Sequence, residues 1–413
     1  MSKIRVKNFG PIQNGFEDNN GFMAIGKITI LTGSEISGKE CISKLISTMS
    51  WLEKTLYRGE IKENYVTSYN RFVKEYCNYQ NLANYFSANT EIDFIGEVYD
   101  MSFREGKLSL KAKSSENYKV PKIMYVPAER NFLSAVENPD KLKGLPKSLS
   151  TFWEEMQRAL SQLSGSVTLP IGGVKFEYDK ANKIPRIVGR NYRLRLSESS
   201  SGFQSFVPLY LVSQNLAFSI RKGRDTSKNE LSTEAQRKLQ KEIAQILNND
   251  DISMDLKEAA LKLLSSKYRN DSFLNIVEEV EQNLFPSSQM SVLFTLLEYV
   301  NQHRENGLIL TTHSPYIINF LTLSVQADYL KKKIEISNNN NKDILLDRLN
   351  KIVPLKSGVN GEGVTVYQLE DDGTVIKLPS YEGLPSDQNY LNSFLEKGNQ
   401  LFDSLLEIEE ELI

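Results

Sequence analysis

The sequence predicts an α/β protein in which a mixed β-sheet is flanked by helices, with an antiparallel β subdomain and an inserted helical hairpin attached. Three observations carry that prediction. Residues 27–31 alternate like a strand, run into Gly33-Ser34-Glu35-Ile36-Ser37-Gly38, and continue as Ile42-Ser43-Lys44-Leu45-Ile46 with helical apolar spacing. Two short apolar runs, at 273–277 and 307–312, read as buried strands. Residues 221–270 are dense in Lys, Glu, Asp and Asn, with helical periodicity over 230–247 and 256–264, which predicts a hairpin exposed on at least one face.

At 413 residues the chain exceeds one ordinary core. The expected division is an N-terminal lobe over 1–220, the hairpin insert over 221–270, a C-terminal lobe over 271–325, and a β-hairpin with a helical extension over 326–413. Fifty basic side chains against 52 acidic ones leave a net charge of -2 and no global attraction to nucleic acid. A DNA contact would need a local patch such as Arg221, Lys222, Arg224, Arg237, Lys238 and Lys241, and a solvated helical face produces the same charge run. The two cysteines, Cys41 and Cys77, and the two histidines, His303 and His313, lack zinc-ligand spacing. A reducing, cytoplasmic setting is expected, with no export signal and no membrane span.

In order along the chain, Ile4-Arg5-Val6 enters a turn at Asn8-Phe9-Gly10-Pro11-Ile12, and the strand that delivers the glycine-bounded loop follows. Residues 50–90 are tyrosine-rich and helical in pattern. Residues 91–126 return to alternation, as an antiparallel hairpin and then a buried strand, Ile123-Met124-Tyr125-Val126, stopped by Pro127. Glu129, Arg130 and Asn131 therefore emerge at a strand's C-terminal end, where open α/β sheets place ligands. A helix over 146–164 and a β segment over 166–196 lead to Ser197-Glu198-Ser199-Ser200-Ser201-Gly202 and an apolar helix. The second half brings the strand at 273–277 ending in Glu278-Glu279, a helix over 289–301, the strand at 307–312 ending in His313-Ser314-Pro315, a polar break at 338–342, a hairpin over 364–378 and a helical tail. Asp371-Asp372 reads as the hairpin turn.

The glycine-bounded loop has the chemistry of a phosphate cradle. Backbone N–H groups and a helix N-terminus hold a polyphosphate, and Lys39 reaches its terminal groups. The motif G-x-x-x-x-G-K-[ST] asks for a hydroxyl after the lysine to ligate magnesium, and this chain has Glu40 there, then Cys41. Downstream, Glu278 suits the metal and Glu279 the attacking water, while His313 suits contact with a γ-phosphate.

The ordered set resembles an ABC-type ATPase head of the SMC, RecN and OLD lineage. Gly33 to Lys39 is similar to Walker A, Ser199-Ser200-Ser201-Gly202 to the signature loop, Ile276-Val277-Glu278-Glu279-Val280-Glu281 to Walker B with its D-loop, and Leu310-Thr311-Thr312-His313-Ser314-Pro315 to the switch-histidine loop. The resemblance implies ATP and Mg2+ as cofactors, held by Gly33, Ser34, Ser37, Gly38, Lys39, Glu40 and Cys41, with Glu278 and Glu40 as metal ligands and Glu279 and His313 as catalytic residues. It also implies head-to-tail dimers in which Ser200, Ser201 and Gly202 of one protomer complete the cage of the other. The Q-loop role falls to Glu129, with Gln80 the poorer candidate. Four residues depart from the pattern: Ile36, Glu40, Cys41 and Ser199. Similar compact heads are the ATPase subunits of bacterial anti-phage systems such as PARIS and Septu, which implies a separate nuclease or toxin effector. A pseudo-ATPase scaffold and an SMC- or RecN-like DNA-repair ATPase are the alternatives.

Overall fold

The computed structural model describes residues 2–114, 118–221, 233–249, 253–338 and 340–410. β1 (Lys3–Phe9) buries Ile4 and Val6 by alternation and Phe9 after a register shift at Asn8, and the turn beyond it is closed by the Phe9 N–H donating to the Ile12 carbonyl at 2.8 Å. Two short strands, β2 (Gly15–Phe16) and β3 (Met23–Ala24), precede β4 (Ile28–Gly33), which is buried along its whole length. α1 (Lys39–Arg58) follows the loop, and its N-cap is Gly38 at φ 87°, a left-handed conformation that glycine adopts without steric cost. α2 (Glu63–Thr67) and a π-helical turn at Phe72–Cys77 lead to β5 (Phe86–Ile95), β6 (Tyr99–Arg104) and β7 (Lys107–Ala112). The hairpin expected over 91–126 is thus a three-stranded meander, because the polar-aromatic segment Tyr99–Arg104 is itself a strand.

β8 (Pro121–Val126), α3 (Arg130–Ala135) and α4 (Lys147–Gln162) come next, then a small antiparallel sheet of β9 (Val167–Thr168), β10 (Lys175–Asp179), β11 (Ile184–Val188) and β12 (Arg193–Arg195). α5 (Ser201–Arg221) starts inside the serine-rich segment. α6 (Thr233–Leu247) and α7 (Met254–Tyr268) form the expected hairpin, closed by Leu264 and Tyr268 against Leu239, Ile243 and Ile246. Arg58 at the end of α1 donates to the carbonyls of Lys267 and Tyr268, and Lys238 donates to the Gly59 carbonyl. Lys238 is therefore engaged against the end of α1. Arg237 and Lys241 are exposed, whereas the Arg221 side chain, Lys222 and Arg224 lie outside the described residues.

The last part holds β13 (Ser272–Val277), α8 (Pro286–Asn301), β14 (Gly307–Thr312), α9 (Pro315–Ile336), α10 (Lys342–Ile352), β15 (Val364–Leu369), β16 (Thr374–Lys377), the ribbon β17 (Ser380–Tyr381) and β18 (Leu384–Pro385), and α11 (Tyr390–Glu410). Seven strands build the central sheet in the order β2-β16-β15-β4-β14-β13-β8, and β15, β4, β14, β13 and β8 run parallel. Their residues alternate between two cores. Ile28, Ile30, Val277 and Leu308 face the core under α4, α5 and α8, while Leu31, Ile276 and Ile309 face the core under α1 and the five-stranded sheet. Among the described residues no helix is long and apolar enough to cross a membrane.

The division expected at 325/326 cuts through α9, and the hairpin beyond it is not an extension. β15 lies directly beside β4, with Leu369 paired to Gly33. A parallel neighbour is joined by a crossover and leaves no local pattern in the sequence. A chain ended at residue 389 should therefore keep a cooperative thermal transition, because it loses only α11, whose Phe394, Leu401, Leu405 and Ile408 are exposed. A chain ended at 360 should lose that transition in circular-dichroism melting, because β4 is left with an open edge.

Candidate functional site

The parallel strands deliver their loops to one edge of the sheet, the usual ligand edge of an α/β sheet. Gly33 sits at φ 152°, where a Cβ would lie 2.5 Å from the Leu369 carbonyl and 2.6 Å from Ser37 Oγ. Any side chain there would push the loop off β15. Ser37 Oγ donates to the Ser34 carbonyl at 2.8 Å, and Ser34 Oγ donates to Asp371 in the β15–β16 turn. Lys39 is fully buried, with its ammonium 3.1 Å from the Ser34 carbonyl and 3.0 Å from the Glu40 carboxylate. The loop's lysine is thereby partly neutralised by its own neighbour.

Cys41, expected to line the cradle, is buried in the core with its N–H donating to the Gly38 carbonyl. Burial pushes its thiol up to about 11. It is a packing residue, because the helix turns its side chain inward at this position.

The acidic pair divides. Glu278 is buried, accepts the Ala128 N–H at 3.2 Å, and lies 3.4 Å from the Lys44 ammonium. Burial pushes its carboxyl up, and Lys44 works against that shift. Lys44 is itself raised: burial disfavours its charge, but Glu278, Glu129 and Cys41 together more than offset the penalty. Glu279 stands at φ 42°, outside the regular strand, and its N–H donates to Thr311 Oγ1 at 3.0 Å. Its carboxylate keeps different company from that of Glu278. Glu40, Glu279 and His313 meet, with ligand atoms all within 4.8 Å of one another. The metal pair expected from sequence was Glu278 with Glu40; the side chains that converge are instead Glu279, Glu40 and His313. Such a set of two carboxylates and an imidazole can hold a divalent cation or orient a water.

His313 is positioned through its backbone. Its N–H donates to Glu281 at 2.5 Å, and Thr312 Oγ1 donates to the other oxygen of the same carboxylate at 2.8 Å. Burial raises the Glu281 carboxyl, while these donors oppose the rise.

Sequence reasoning assigned Glu129 a role and passed over its neighbour. Glu129 is exposed, whereas Arg130 is fully buried. Its guanidinium donates to the carbonyls of Glu278 and Glu279 at 2.7 Å each, and to those of Pro127 and Ser205 at 3.2 Å each. Burial lowers its pKa to about 10, so it is charged at neutral pH, supported by the surrounding glutamates. The available signal was an arginine two residues after the strand-stopping proline and alanine. Gln80, the other candidate, faces a separate cavity beyond α1.

Ser201 and Gly202 begin α5, and a Cβ on Gly202 would lie 2.9 Å from the Asn283 carbonyl, so the segment packs on the turn that follows the acidic pair. Ser199 Oγ donates to the Leu196 carbonyl. Among the described residues no hydrogen bond or ion pair joins Ser200, Ser201 or Gly202 to the 33–40 loop of the same chain. The cradle fits a phosphate group in its glycines and its lysine, and departs from the usual magnesium site in Glu40.

No family model matches the sequence, and no curated protein matches it. Three solved structures are similar in chain course. An SMC head domain from Thermotoga maritima shares 10% identity over 92% of this chain and 98% of its own, at a TM-score of 0.33. An SMC head bound to the C-terminal winged-helix domain of ScpA shares 12% over 77% and 90%, at 0.35. An SMC head with an extended coiled coil, bound to the C-terminal domain of ScpA and derived from Pyrococcus furiosus, shares 11% over 98% and 100%, at 0.28.

Two outcomes test the site's construction. Arg130→Met should lower the unfolding free energy by about 3 kcal/mol, since it strands several buried carbonyls, and the denaturant midpoint reads this directly. Neither Cys41 nor Cys77 should react with a thiol reagent at pH 7.5 in the native state, and both should react in denaturant, because burial holds both thiols protonated.

Proposed function

We propose that this chain is an ABC-type ATPase head that binds and hydrolyses ATP with Mg2+ in the cytoplasm. It acts as the sensor or regulator subunit of a bacterial anti-phage defence system, its heads pairing head to tail to control a separate nuclease or toxin. The observation that carries the ATPase reading is the meeting of Glu40, Glu279 and His313 beside the buried Lys39. The defence role rests on the motif resemblance.

In this reading Lys39 and the loop N–H groups hold the terminal phosphates. Glu279 polarises the attacking water, and His313 contacts the γ-phosphate. Ser200, Ser201 and Gly202 of a second protomer close the cage. Magnesium, when bound with the nucleotide, neutralises charge between the phosphates, and Glu40 is the carboxylate in reach of it. Glu278, tied to Lys44, steadies the acidic pair from behind.

One observation favours the scaffold reading, in which nucleotide is bound without turnover: the Lys39–Glu40 ion pair reduces the cradle's attraction for phosphate. Turnover of radiolabelled ATP separates the two. Glu279→Gln should reduce turnover by about 100-fold while leaving ATP binding intact. Identical, background-level turnover in wild type and variant, with and without DNA, supports the scaffold. Glu40→Ser should tighten ATP binding by about tenfold, the equivalent of about 1.4 kcal/mol, and equal affinities would rule out the weakening attributed to the Lys39–Glu40 pair.

A further inference from the structure

Away from the proposed ATP site, a cavity of about 490 Å³ opens between α1, the π-helical turn at Phe72–Cys77, α4 and β8, the outer strand of the central sheet. Its size is that of a small-molecule site, for which roughly 300–1,000 Å³ is usual. Three features of its lining define a ligand.

Gln80 is 3% exposed, lines the cavity, and its Oε1 accepts no hydrogen bond. A buried acceptor without a donor is costly, and a small turn of this side chain into the cavity would let an N–H or O–H group of a ligand supply one. Trp51 and Tyr76 form an aromatic wall, with ring centroids 5.9 Å apart and an interplanar angle of 38°, and the indole remains 38% exposed where it could be covered by a planar ring. Across the cavity, Lys122 at 3.2 Å and Arg158 at 2.5 Å pair with the Glu155 carboxylate, and the lining as a whole holds Lys54, Arg58, Lys122 and Arg158 against Glu75 and Glu155, an excess of basic side chains. Arg158 is partly exposed at the rim, where it can turn toward an anion.

We propose that this cavity binds a nucleoside monophosphate whose base stacks on Trp51 and donates its exocyclic amine to Gln80, with its phosphate against Arg158. This goes beyond the ATPase reading and does not depend on it. The site is placed to regulate, because α1 begins at Lys39 and β8 ends at the turn that carries Arg130. A ligand wedged between them biases the two elements that hold the phosphate loop and the acidic pair.

Trp51 supplies the readout, since the sequence has two tryptophans and Trp153→Phe leaves Trp51 as the sole indole. Titrating the full chain with AMP, CMP and GMP should give saturable quenching of Trp51 by at least one of them, with Kd below about 1 mM. The matching nucleoside without phosphate should bind at least about tenfold more weakly. Gln80→Leu and Arg158→Glu should each weaken binding at least about tenfold with unchanged thermal melting, and Lys39→Ala, which disables the proposed ATP site, should not. Absence of saturable quenching with all three nucleotides overturns the proposal. So does quenching that disappears in Lys39→Ala and persists in Gln80→Leu, since the nucleotide would then be reporting from the phosphate loop.

Discussion

The structure depends most on one buried guanidinium. Arg130 joins the turn after β8, the two glutamates after β13 and the first turns of α5, and each contact is to a backbone carbonyl. A buried charge is tolerable when its donors find partners, and the four bonds made here tie these segments to one geometry. The left-handed turn at Glu279 is one result of that constraint, and the position of its carboxylate follows from the turn. Burial lowers the Arg130 pKa to about 10, and the glutamates around it oppose that shift.

The same logic of shared charge runs through the rest of the site. Lys44 answers Glu278, Lys39 answers Glu40, and Glu281 is held by donors from the His313 loop. These pairs tie Lys39, Lys44, Glu40, Glu278 and Glu281 to neighbouring groups, so the lysine of the glycine-bounded loop is itself paired. A serine after the lysine would have left Lys39 uncompensated. With Glu40 present, the loop exchanges cation strength for a third metal-capable side chain beside Glu279 and His313. That trade, set by one residue, separates this site from the motif it otherwise follows.

The C-terminal part of the chain is structural in a way its position does not suggest. β15 closes the side of the phosphate loop through Leu369, and Asp371 braces Ser34 from the following turn. Gly33 is obligatory because β15 passes so close. The helical hairpin, in contrast, touches the body mainly through Arg58, Gly59 and Lys238 at the far end of α1.

The sequence by itself determined the local elements and the order of the chemistry. The Gly33–Lys39 loop, the strands ending at Glu278 and His313, the α6–α7 hairpin and the β15–β16 hairpin were legible because each is written in adjacent residues as a period or a turn. What only the tertiary structure decided was which side chains meet. Glu40 meets Glu279 and His313, Glu278 turns to Lys44, Cys41 packs into the core, and Arg130, which the sequence reading gave no role, holds the carbonyls of Glu278 and Glu279. β15 also joined the central sheet only in three dimensions. The reason is common to all of these: a parallel sheet brings together loops that lie hundreds of residues apart, and burial then selects partners by charge and space, neither of which leaves a local signature.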